Sequence, residues 1–277
     1  FRHGLIRNSK RQARKNLSFL YDLSNEFYEK WLYETMSYSS ALFKNGQEPT
    51  EKAQLRKYES MVDMMDVKPG DHVLEIGCGW GGFAEYAAKE RGLKVTGLTI
   101  SQEQHDYAVA RMKKLGLSEQ VQIVMRDYRD ETGTYDGIAS IEMFEAVGEQ
   151  YWPTYFKTIR DRLKPGATAA LQIILITEHR FEAYRKGVDF IQKYIFPGGM
   201  LPSPGALNHQ IEKAGLIRKN SIEFAKSYSQ TLRRWHHSFN DKWEDINKMG
   251  FDDRFRNMWN FYLTSCASAF EYGNCDV

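Results

Sequence analysis

Apolar residues along the chain fall into short runs and helically spaced sets that follow one another in alternation. Runs typical of buried strands lie at residues 72–76, 94–100, 121–126, 135–141 and 167–176. Apolar positions at helical spacing lie between them, at residues 82–91, 102–115 and 151–163. Such alternation is typical of a parallel sheet with helices on both faces. We therefore predict an α/β fold with a doubly wound sheet.

The same spacing predicts helices before and after this sheet. Ser24 is placed to cap a helix over residues 25–32, and a second helix over 51–65 ends before Pro69-Gly70. Downstream we predict a helix over 204–214, a strand over 217–224 and long amphipathic helices over 230–248 and 252–270. We expect residues 1–69 to form an N-terminal helical cover with a basic segment, and residues 70–277 to form the main domain.

Residues 177–204 interrupt the alternation. The segment is rich in aromatic residues and carries Phe196-Pro197-Gly198-Gly199 near its end. An irregular insertion of this length at the strand ends is more often functional than incidental, because loops carry binding residues. We predict a helical lid insertion at about 177–204, with an apolar tunnel for a substrate beneath it.

The charge balance argues against a broad attraction to nucleic acid. The chain has 38 Lys and Arg against 36 Asp and Glu, which gives a net charge of +2 at pH 7 and no one-signed field. Residues 1–15 are the exception, since they contain basic residues and no acidic one. That segment is either a contact for an anionic membrane or a solvated helix. The chain opens without Met, so we expect it to be part of a longer protein.

Cysteine, histidine and hydropathy patterns bear on location and metals. Cys78, Cys266 and Cys275 fit neither a disulfide framework nor metal-ligand spacing, and the seven histidines form no metal-binding pattern. No apolar run reaches the roughly 18 residues of a membrane span, and no signal peptide opens the chain. We expect a cytoplasmic protein, either soluble or peripheral on the inner face of the membrane, with no metal site.

The strongest motif is a strand that runs into glycines and then a helix, Val73-Leu74-Glu75-Ile76-Gly77-Cys78-Gly79-Trp80-Gly81-Gly82. Glycines here let the backbone turn sharply and approach a ligand without a Cβ in the way. The spacing also matches a dinucleotide site, but such a site needs an acid after the second strand, which here ends in Thr99-Ile100-Ser101. The acid instead precedes the glycines as Glu75. This arrangement resembles the S-adenosylmethionine loop of class I methyltransferases.

Further motifs occur in a fixed order along nearly the whole chain. They are Tyr21-Asp22-Leu23-Ser24-Asn25-Glu26-Phe27-Tyr28, Met36-Ser37-Tyr38-Ser39-Ser40-Ala41, the glycine loop, Gly97-Leu98-Thr99-Ile100-Ser101, Ser140-Ile141-Glu142-Met143-Phe144-Glu145 and Tyr194-Ile195-Phe196-Pro197-Gly198-Gly199. In this order they resemble the cyclopropane fatty acid synthases and their mycolic acid and methyl-branching relatives. The resemblance implies a class I methyltransferase, Rossmann-like sheet of seven strands, whose last strand would begin where this chain stops.

The resemblance also implies the residues of the site. The expected contacts of S-adenosylmethionine are Tyr38, Ser39, Glu75, Gly77, Gly79, Gly81, Thr99, Ile100, Gln104, Asp127, Tyr128 and Ile141. The expected reacting centre consists of Glu145, Tyr228, Gln172, Ser40 and Ile174. In the family a bound bicarbonate is the implied base, and Glu145 would help to hold it. The alternative for Glu145 is a salt-bridged carboxylate at a strand end.

The chemistry of alkene methylation explains why such a site is needed. An alkene is a poor nucleophile, so the methyl donor must be held in line with it while water is excluded. Transfer leaves a carbocation on the acyl chain, which aromatic faces can stabilise. Tyr28, Phe144 and Tyr228 are candidates for that role, and ordinary packing is the alternative for each.

Departures from the family pattern fall around the expected bicarbonate. The family often has Cys or His where this chain has Ser40, Ala146 and Gln172, and often His where it has Leu20. Gln172 can donate a hydrogen bond but cannot become positively charged. These departures affect ring closure more than methyl transfer, so the alternative products are a methyl-branched or methylene fatty acid, or a furan fatty acid precursor.

We therefore predict a methyltransferase that acts on unsaturated acyl chains of membrane phospholipids and uses S-adenosylmethionine. Its partners would be an anionic membrane surface and no nucleic acid, and a homodimer is compatible with the sequence. A methyltransferase for a soluble small molecule remains a rival, as does a non-catalytic protein that binds lipid or cofactor. No serine-hydrolase elbow or phosphate-binding loop with Lys is found, so hydrolysis and phosphoryl transfer are not indicated.

Overall fold

The structure is a computed structural model that describes Ser9, Gln12 and residues 23–277. The basic segment over 1–15, apart from Ser9 and Gln12, lies outside the described residues. Leu20 and Tyr21-Asp22 lie outside them as well.

A parallel sheet of five strands forms the centre of the described chain. Its strands are β1 (His72–Ile76), β2 (Lys94–Thr99), β3 (Val121–Met125), β4 (Tyr135–Ile141) and β5 (Leu163–Gln172). They lie in the order β3-β2-β1-β4-β5, with all pairs parallel. The strand order reverses beside β1, and parallel sheets bind ligands at that point, outside the carboxyl ends of the strands. A separate antiparallel pair joins β6 (Leu175–Ile176) to β7 (Cys275–Asp276).

Helices connect and cover these strands. They are α1 (Asn25–Glu29), α2 (Thr50–Met65), α3 (Gly82–Arg91), α4 (Gln102–Lys114), α5 (Trp152–Arg162), α6 (Glu178–Lys186), α7 (Phe190–Tyr194), α8 (Pro204–Lys213), α9 (Ala225–Asp241), α10 (Trp243–Lys248) and α11 (Asp253–Glu271). The predicted cap at Ser24 is confirmed, because its side chain accepts a hydrogen bond from the Phe27 N–H.

Both faces of the sheet are covered by helices, as predicted. On one face, buried residues of α2, α3 and α4, such as Met61, Phe83 and Met112, pack against the strands. On the other face, Trp152 and Phe156 of α5 form a second core. Burial on both sides explains why the central strands β1, β2 and β4 are buried along most of their length, whereas the edge strands β3 and β5 are partly exposed.

A third core joins the N-terminal and C-terminal helices. Trp31, which follows α1, packs with Trp235 of α9 and Trp259 of α11. The same cluster includes Trp80 of the glycine loop and Ile195, which follows α7. This aromatic layer therefore fixes the outer helices beside the carboxyl ends of the strands.

The predicted strand over residues 217–224 is wrong, and within residues 23–277 the central sheet has five strands, not the seven that were predicted. Ile217 is 88% exposed and Ile222 is 48% exposed, so the apolar side chains that suggested a strand are not buried. A strand must also pair its backbone with a neighbour, and no strand of residues 23–277 pairs with this segment.

Other boundaries differ locally. The predicted strand over 167–176 begins at Leu163 and ends at Gln172, and β6 follows after Ile173 and Ile174. The long helix predicted over 230–248 begins earlier and breaks at Lys242 into α9 and α10. Within residues 23–277, no helix is both long and apolar enough to span a bilayer.

Candidate active site

A cavity of about 870 Å³ lies where the glycine loop, the strand ends and the 177–204 segment meet. Its walls include Gly77 and Gly79 on one side and Phe196 on the other. The segment over 177–204 folds partly into α6 and α7. The cavity thus runs from the expected cofactor loop to the predicted lid, as the sequence analysis anticipated.

The glycine loop has the backbone geometry that its sequence suggested. Gly77, Gly79 and Gly81 all have positive φ, at 82°, 51° and 83°. Residues other than glycine rarely adopt this backbone conformation. A Cβ on Gly77 would lie 2.8 Å from Cγ of Met143, whereas a Cβ on Gly79 would meet nothing within 4 Å. Gly81 caps α3 and does not line the cavity.

Glu75 brings a buried carboxylate to the base of the cavity. Its Oε2 atom has no hydrogen-bond partner among the described residues. Burial raises the pKa of Glu75 to about 8, and the nearby Lys57 cation opposes that rise. A buried acid with a free oxygen is suited to a cationic ligand group, which would lower this pKa again.

The far side of the loop carries polar groups from β2 and β3. The Thr99 hydroxyl donates to Oε1 of Gln104 at 3.0 Å, and Ile100 lies beside them in the wall. After β3, Asp127 accepts hydrogen bonds from Arg129, at 2.8 Å from Nε and 2.6 Å from Nη2. Tyr128 also lines this part of the cavity.

Residues that precede the sheet in sequence complete the part of the cavity where the cofactor is expected to bind. Lys57 of α2 is buried, and its ammonium donates to Oγ of Ser39 at 2.6 Å. The Tyr38 and Tyr262 hydroxyls are hydrogen-bonded at 2.9 Å, which links the N-terminal segment to α11. Burial lowers the pKa of Lys57, while attraction to Glu142 and Glu75 raises it.

Glu142, directly after β4, lies at the centre of the residues expected to form the reacting centre, which we call the reacting side of the cavity. Its Oε1 accepts hydrogen bonds from the Ser40 N–H at 2.8 Å and from Nε2 of Gln172 at 2.6 Å. Its Oε2 accepts from the Tyr228 hydroxyl at 2.5 Å. Burial raises the pKa of Glu142, and these donors together with Lys57 oppose that rise.

The backbone at Glu142 is strained. Its φ is 49°, a left-handed conformation that costs a residue with a Cβ on the order of 1–3 kcal/mol and is found mainly at functional sites. The Glu142 N–H donates to the Gln172 carbonyl at 2.9 Å. The conformation therefore holds the carboxylate beside Tyr228, at the cavity wall.

Glu145 lies one turn further on and differs from Glu142 in its surroundings. Its Oε1 accepts from the Ile174 N–H at 2.6 Å, and its Oε2 has no partner among the described residues. Burial and the charge of Glu142 raise the pKa of Glu145 to about 8. Of the two carboxyl groups, Glu142, which accepts three hydrogen bonds, is therefore the better placed to carry a negative charge, and Glu145 is largely protonated near neutral pH. Within residues 23–277, no salt bridge is formed by Glu145.

Most of the expected site residues lie together at the cavity. Those in its wall are Tyr38, Ser39, Glu75, Gly77, Gly79, Thr99, Ile100, Gln104, Asp127, Tyr128, Ile141, Glu145, Ile174 and Tyr228. Ser40 and Gln172 lie behind the wall and contact Glu142. Tyr28 and Phe144 lie outside it in aromatic cores, so packing accounts for both.

Sequence reasoning missed Glu142 and Lys57. Glu142 was visible in Ser140-Ile141-Glu142-Met143-Phe144-Glu145 as a second acid after a strand, and a pair of acids at a strand end is a signal for coupled titration. Lys57 looked like one of several charged residues of an amphipathic helix. In the described part of the chain, no cluster of His, Cys, Asp and Glu could hold a metal ion.

Comparison with known proteins assigns the chain to a family. The mycolic acid cyclopropane synthetase family model matches residues 8–277. Tuberculostearic acid methyltransferase UfaA1 of Mycobacterium tuberculosis is 39% identical over 100% of this chain and 66% of its own length. The cyclopropane-fatty-acyl-phospholipid synthase of Escherichia coli K12 is 36% identical over 90% of this chain and 63% of its own length. The chain spans about two thirds of the length of these relatives.

Solved structures of similar proteins have the same fold as this chain. The cyclopropane synthase MmaA2 from Mycobacterium tuberculosis superposes with a TM-score of 0.88 at 24% identity over 95% of each chain. The mycolic acid cyclopropane synthase CmaA1, solved with SAH and CTAB, gives a TM-score of 0.86 at 25% identity, also over 95% of each chain. The chain therefore belongs to the mycolic acid cyclopropane synthetase family and has the fold of the class I S-adenosylmethionine-dependent methyltransferases.

Proposed function

We propose that this chain transfers the methyl group of S-adenosylmethionine to the double bond of an unsaturated acyl chain of a membrane phospholipid. The product is a cyclopropane fatty acid or a methyl-branched fatty acid that keeps a C=C bond, such as a methylene fatty acid. The observation that carries the proposal is a cavity that joins the glycine loop to an apolar lid and contains a half-buried carboxylate with three hydrogen-bond donors.

The residues of the loop fit S-adenosylmethionine. Gly77 and Gly79 provide the close backbone approach, and the unpartnered oxygen of Glu75 suits the cationic aminoacyl end. Thr99, Gln104 and Asp127 offer polar groups for the nucleoside. When bound, this cofactor supplies an electrophilic methyl group.

The lid side of the cavity fits an acyl chain. Ile174, Phe196 and Phe270 lie in its wall, and Tyr228 lies beside Phe270 with ring centroids 4.3 Å apart. These side chains exclude water, which would otherwise capture a carbocation on the acyl chain. The face of Tyr228 is also placed to stabilise that positive charge. We propose residues 177–204 as the lid and residues 1–69 as a cover of the same site.

We propose Glu142 as the base, in place of a bound bicarbonate. Ser40, Gln172 and Tyr228, which the family resemblance assigned to the reacting centre, donate hydrogen bonds to the Glu142 carboxylate. Their donors are thus already used by an acid of the chain itself, and the residues do not fit a separate bicarbonate. No step is therefore assigned to bicarbonate.

The proton transfer follows from this geometry. The carbocation loses a proton to the Glu142 carboxylate, and the electron pair of the broken C–H bond remains with carbon. That pair forms a ring bond if a cyclopropane results, or a C=C bond if a methylene group results. Glu145, held by the Ile174 N–H, is a positioning group beside this acid.

Gly77→Ala tests the cofactor site. The added Cβ would clash with Met143 and force a positive φ on alanine, so we expect binding of S-adenosylmethionine to weaken by about tenfold or more. Gly116→Ala is the matched control, because Gly116 also has positive φ but open space around its Cβ. Isothermal titration of both variants measures the effect, and equal affinities would argue against binding at this loop.

The function itself is tested with unsaturated phosphatidylglycerol vesicles and methyl-labelled S-adenosylmethionine. We expect label in the fatty acids released from the phospholipid, with a mass gain of one CH₂ by mass spectrometry. Fragmentation then distinguishes a ring from a branch. Label transfer to soluble compounds, with none in the lipid, would favour a small-molecule methyltransferase.

A further inference from the structure

The position of the cavity mouth follows from which wall residues reach solvent. Most of the wall is buried or half-buried. The exposed wall residues all come from α6, the turn after it and α11, namely His179, Arg180, Ala183, Gly187, Val188, Asp189 and Phe261. In the described part of the chain, the cavity therefore opens between the α6–α7 segment and α11.

The mouth is edged by exposed apolar side chains. Val188 is 38% exposed, Tyr194 is 42% exposed and Phe261 is 53% exposed. Phe190 lies between Phe261 and Tyr194, since its ring centroid is 4.6 Å from that of Phe261 and 5.1 Å from that of Tyr194. We call these four residues the mouth rim. Clustered exposed apolar groups of this kind mark contact with a partner or a membrane.

Basic groups without a carboxylate partner lie around the mouth rim. Lys193 lies over the Tyr194 ring, with Nζ 4.8 Å from the centroid. Arg254 lines a shallow groove next to Phe190 and Tyr194, and Arg180 lies at the mouth itself. None of the three makes an ion pair within residues 23–277, whereas the nearby acids Asp189 and Asp252 accept hydrogen bonds as helix caps.

We propose that the mouth rim is the surface on which the protein docks onto a phospholipid bilayer. The aromatic and apolar side chains enter the interfacial region, and Arg180, Lys193 and Arg254 contact lipid phosphates. An acyl chain then passes from the bilayer into the cavity without crossing water. This inference rests on the proposed function, because it needs an acyl substrate that resides in a membrane.

Tyr194→Asp tests the docking surface, because Tyr194 borders the mouth without lining the cavity. In flotation with phosphatidylcholine and phosphatidylglycerol vesicles, we expect this variant to bind about tenfold more weakly or worse. Tyr194→Ser, which removes the ring without adding a charge, should also weaken binding. Ile217→Asp is the matched control, since Ile217 is exposed on the loop after α8, and it should bind like the unmodified chain.

Activity distinguishes a failure of docking from a failure of the function. We expect both Tyr194 variants to lose methylation of vesicles while retaining methylation of the same phospholipid dispersed in detergent. Vesicle binding that is unchanged in both variants would overturn the docking surface. Absence of vesicle binding by the unmodified chain would also overturn it and would favour delivery of the acyl chain by a carrier. No product from the unmodified chain in either lipid format would instead overturn the proposed function.

Discussion

Glu142→Gln is expected to lower kcat by about 10²- to 10⁴-fold, the usual contribution of a general base. The amide has nearly the same shape but cannot take the proton from the carbocation. Binding of S-adenosylmethionine should change little, because the amide keeps the shape of the side chain and Glu142 is not among the residues expected to hold the cofactor. Rapid-quench or steady-state assays with labelled cofactor, together with titration calorimetry, measure both quantities.

Glu145→Gln is the matched control for this substitution. Because burial and the charge of Glu142 raise the pKa of Glu145 to about 8, its side chain is largely neutral at pH 7, and a neutral amide replaces it with little change. We expect its activity to stay within about tenfold of the unmodified chain. A larger loss at Glu145 than at Glu142 would assign the base to Glu145 and contradict the account.

Lys57→Met is expected to have the second largest effect. Burial lowers the pKa of Lys57 to about 7, against the attraction of Glu142 and Glu75, so the side chain is only partly charged near neutral pH. Its loss also leaves the buried Ser39 hydroxyl without its donor, and an unsatisfied buried polar group costs about 1–3 kcal/mol of stability. The Lys57 charge lowers the pKa of Glu142, so its loss raises that pKa. A base works only when deprotonated, so activity falls as pH drops through the pKa of Glu142. The acidic limb of the kcat/KM profile should therefore move to higher pH.

Lys52→Met provides the control on the same helix, because Lys52 is exposed. Its denaturation midpoint and pH profile should match those of the unmodified chain. A Lys57→Met variant with lower stability but an unmoved pH profile would show that Lys57 supports packing alone.

The sheet could be predicted from sequence because its central strands are buried on both faces. The bounds 72–76 and 135–141 were predicted as the structure has them, and α3 likewise. Glycines or polar capping residues end apolar runs of this kind, so the sequence itself indicates where each element begins and ends. The strand predicted over 217–224 failed because apolar residues alone do not supply the neighbouring strand that a sheet needs.

The contacts around the reacting side of the cavity could not be predicted as completely from the sequence. Ser40 and Gln172 were recognised as departures from the family, but their common partner Glu142 was not. The link depends on segments far apart in the chain, since residues 40, 172 and 228 meet only after folding. The positive φ of Glu142 also has no signature in the sequence.

The central claim is that the chain methylates lipid acyl chains with its own carboxylate as base. The most direct measurement is mass spectrometry of phospholipid fatty acids after reaction with methyl-labelled S-adenosylmethionine in buffer freed of bicarbonate. The account predicts labelled fatty acids at a rate that added bicarbonate does not change, and no comparable product from Glu142→Gln. Cofactor binding without labelled lipid, or a product that forms only when bicarbonate is added, would contradict it.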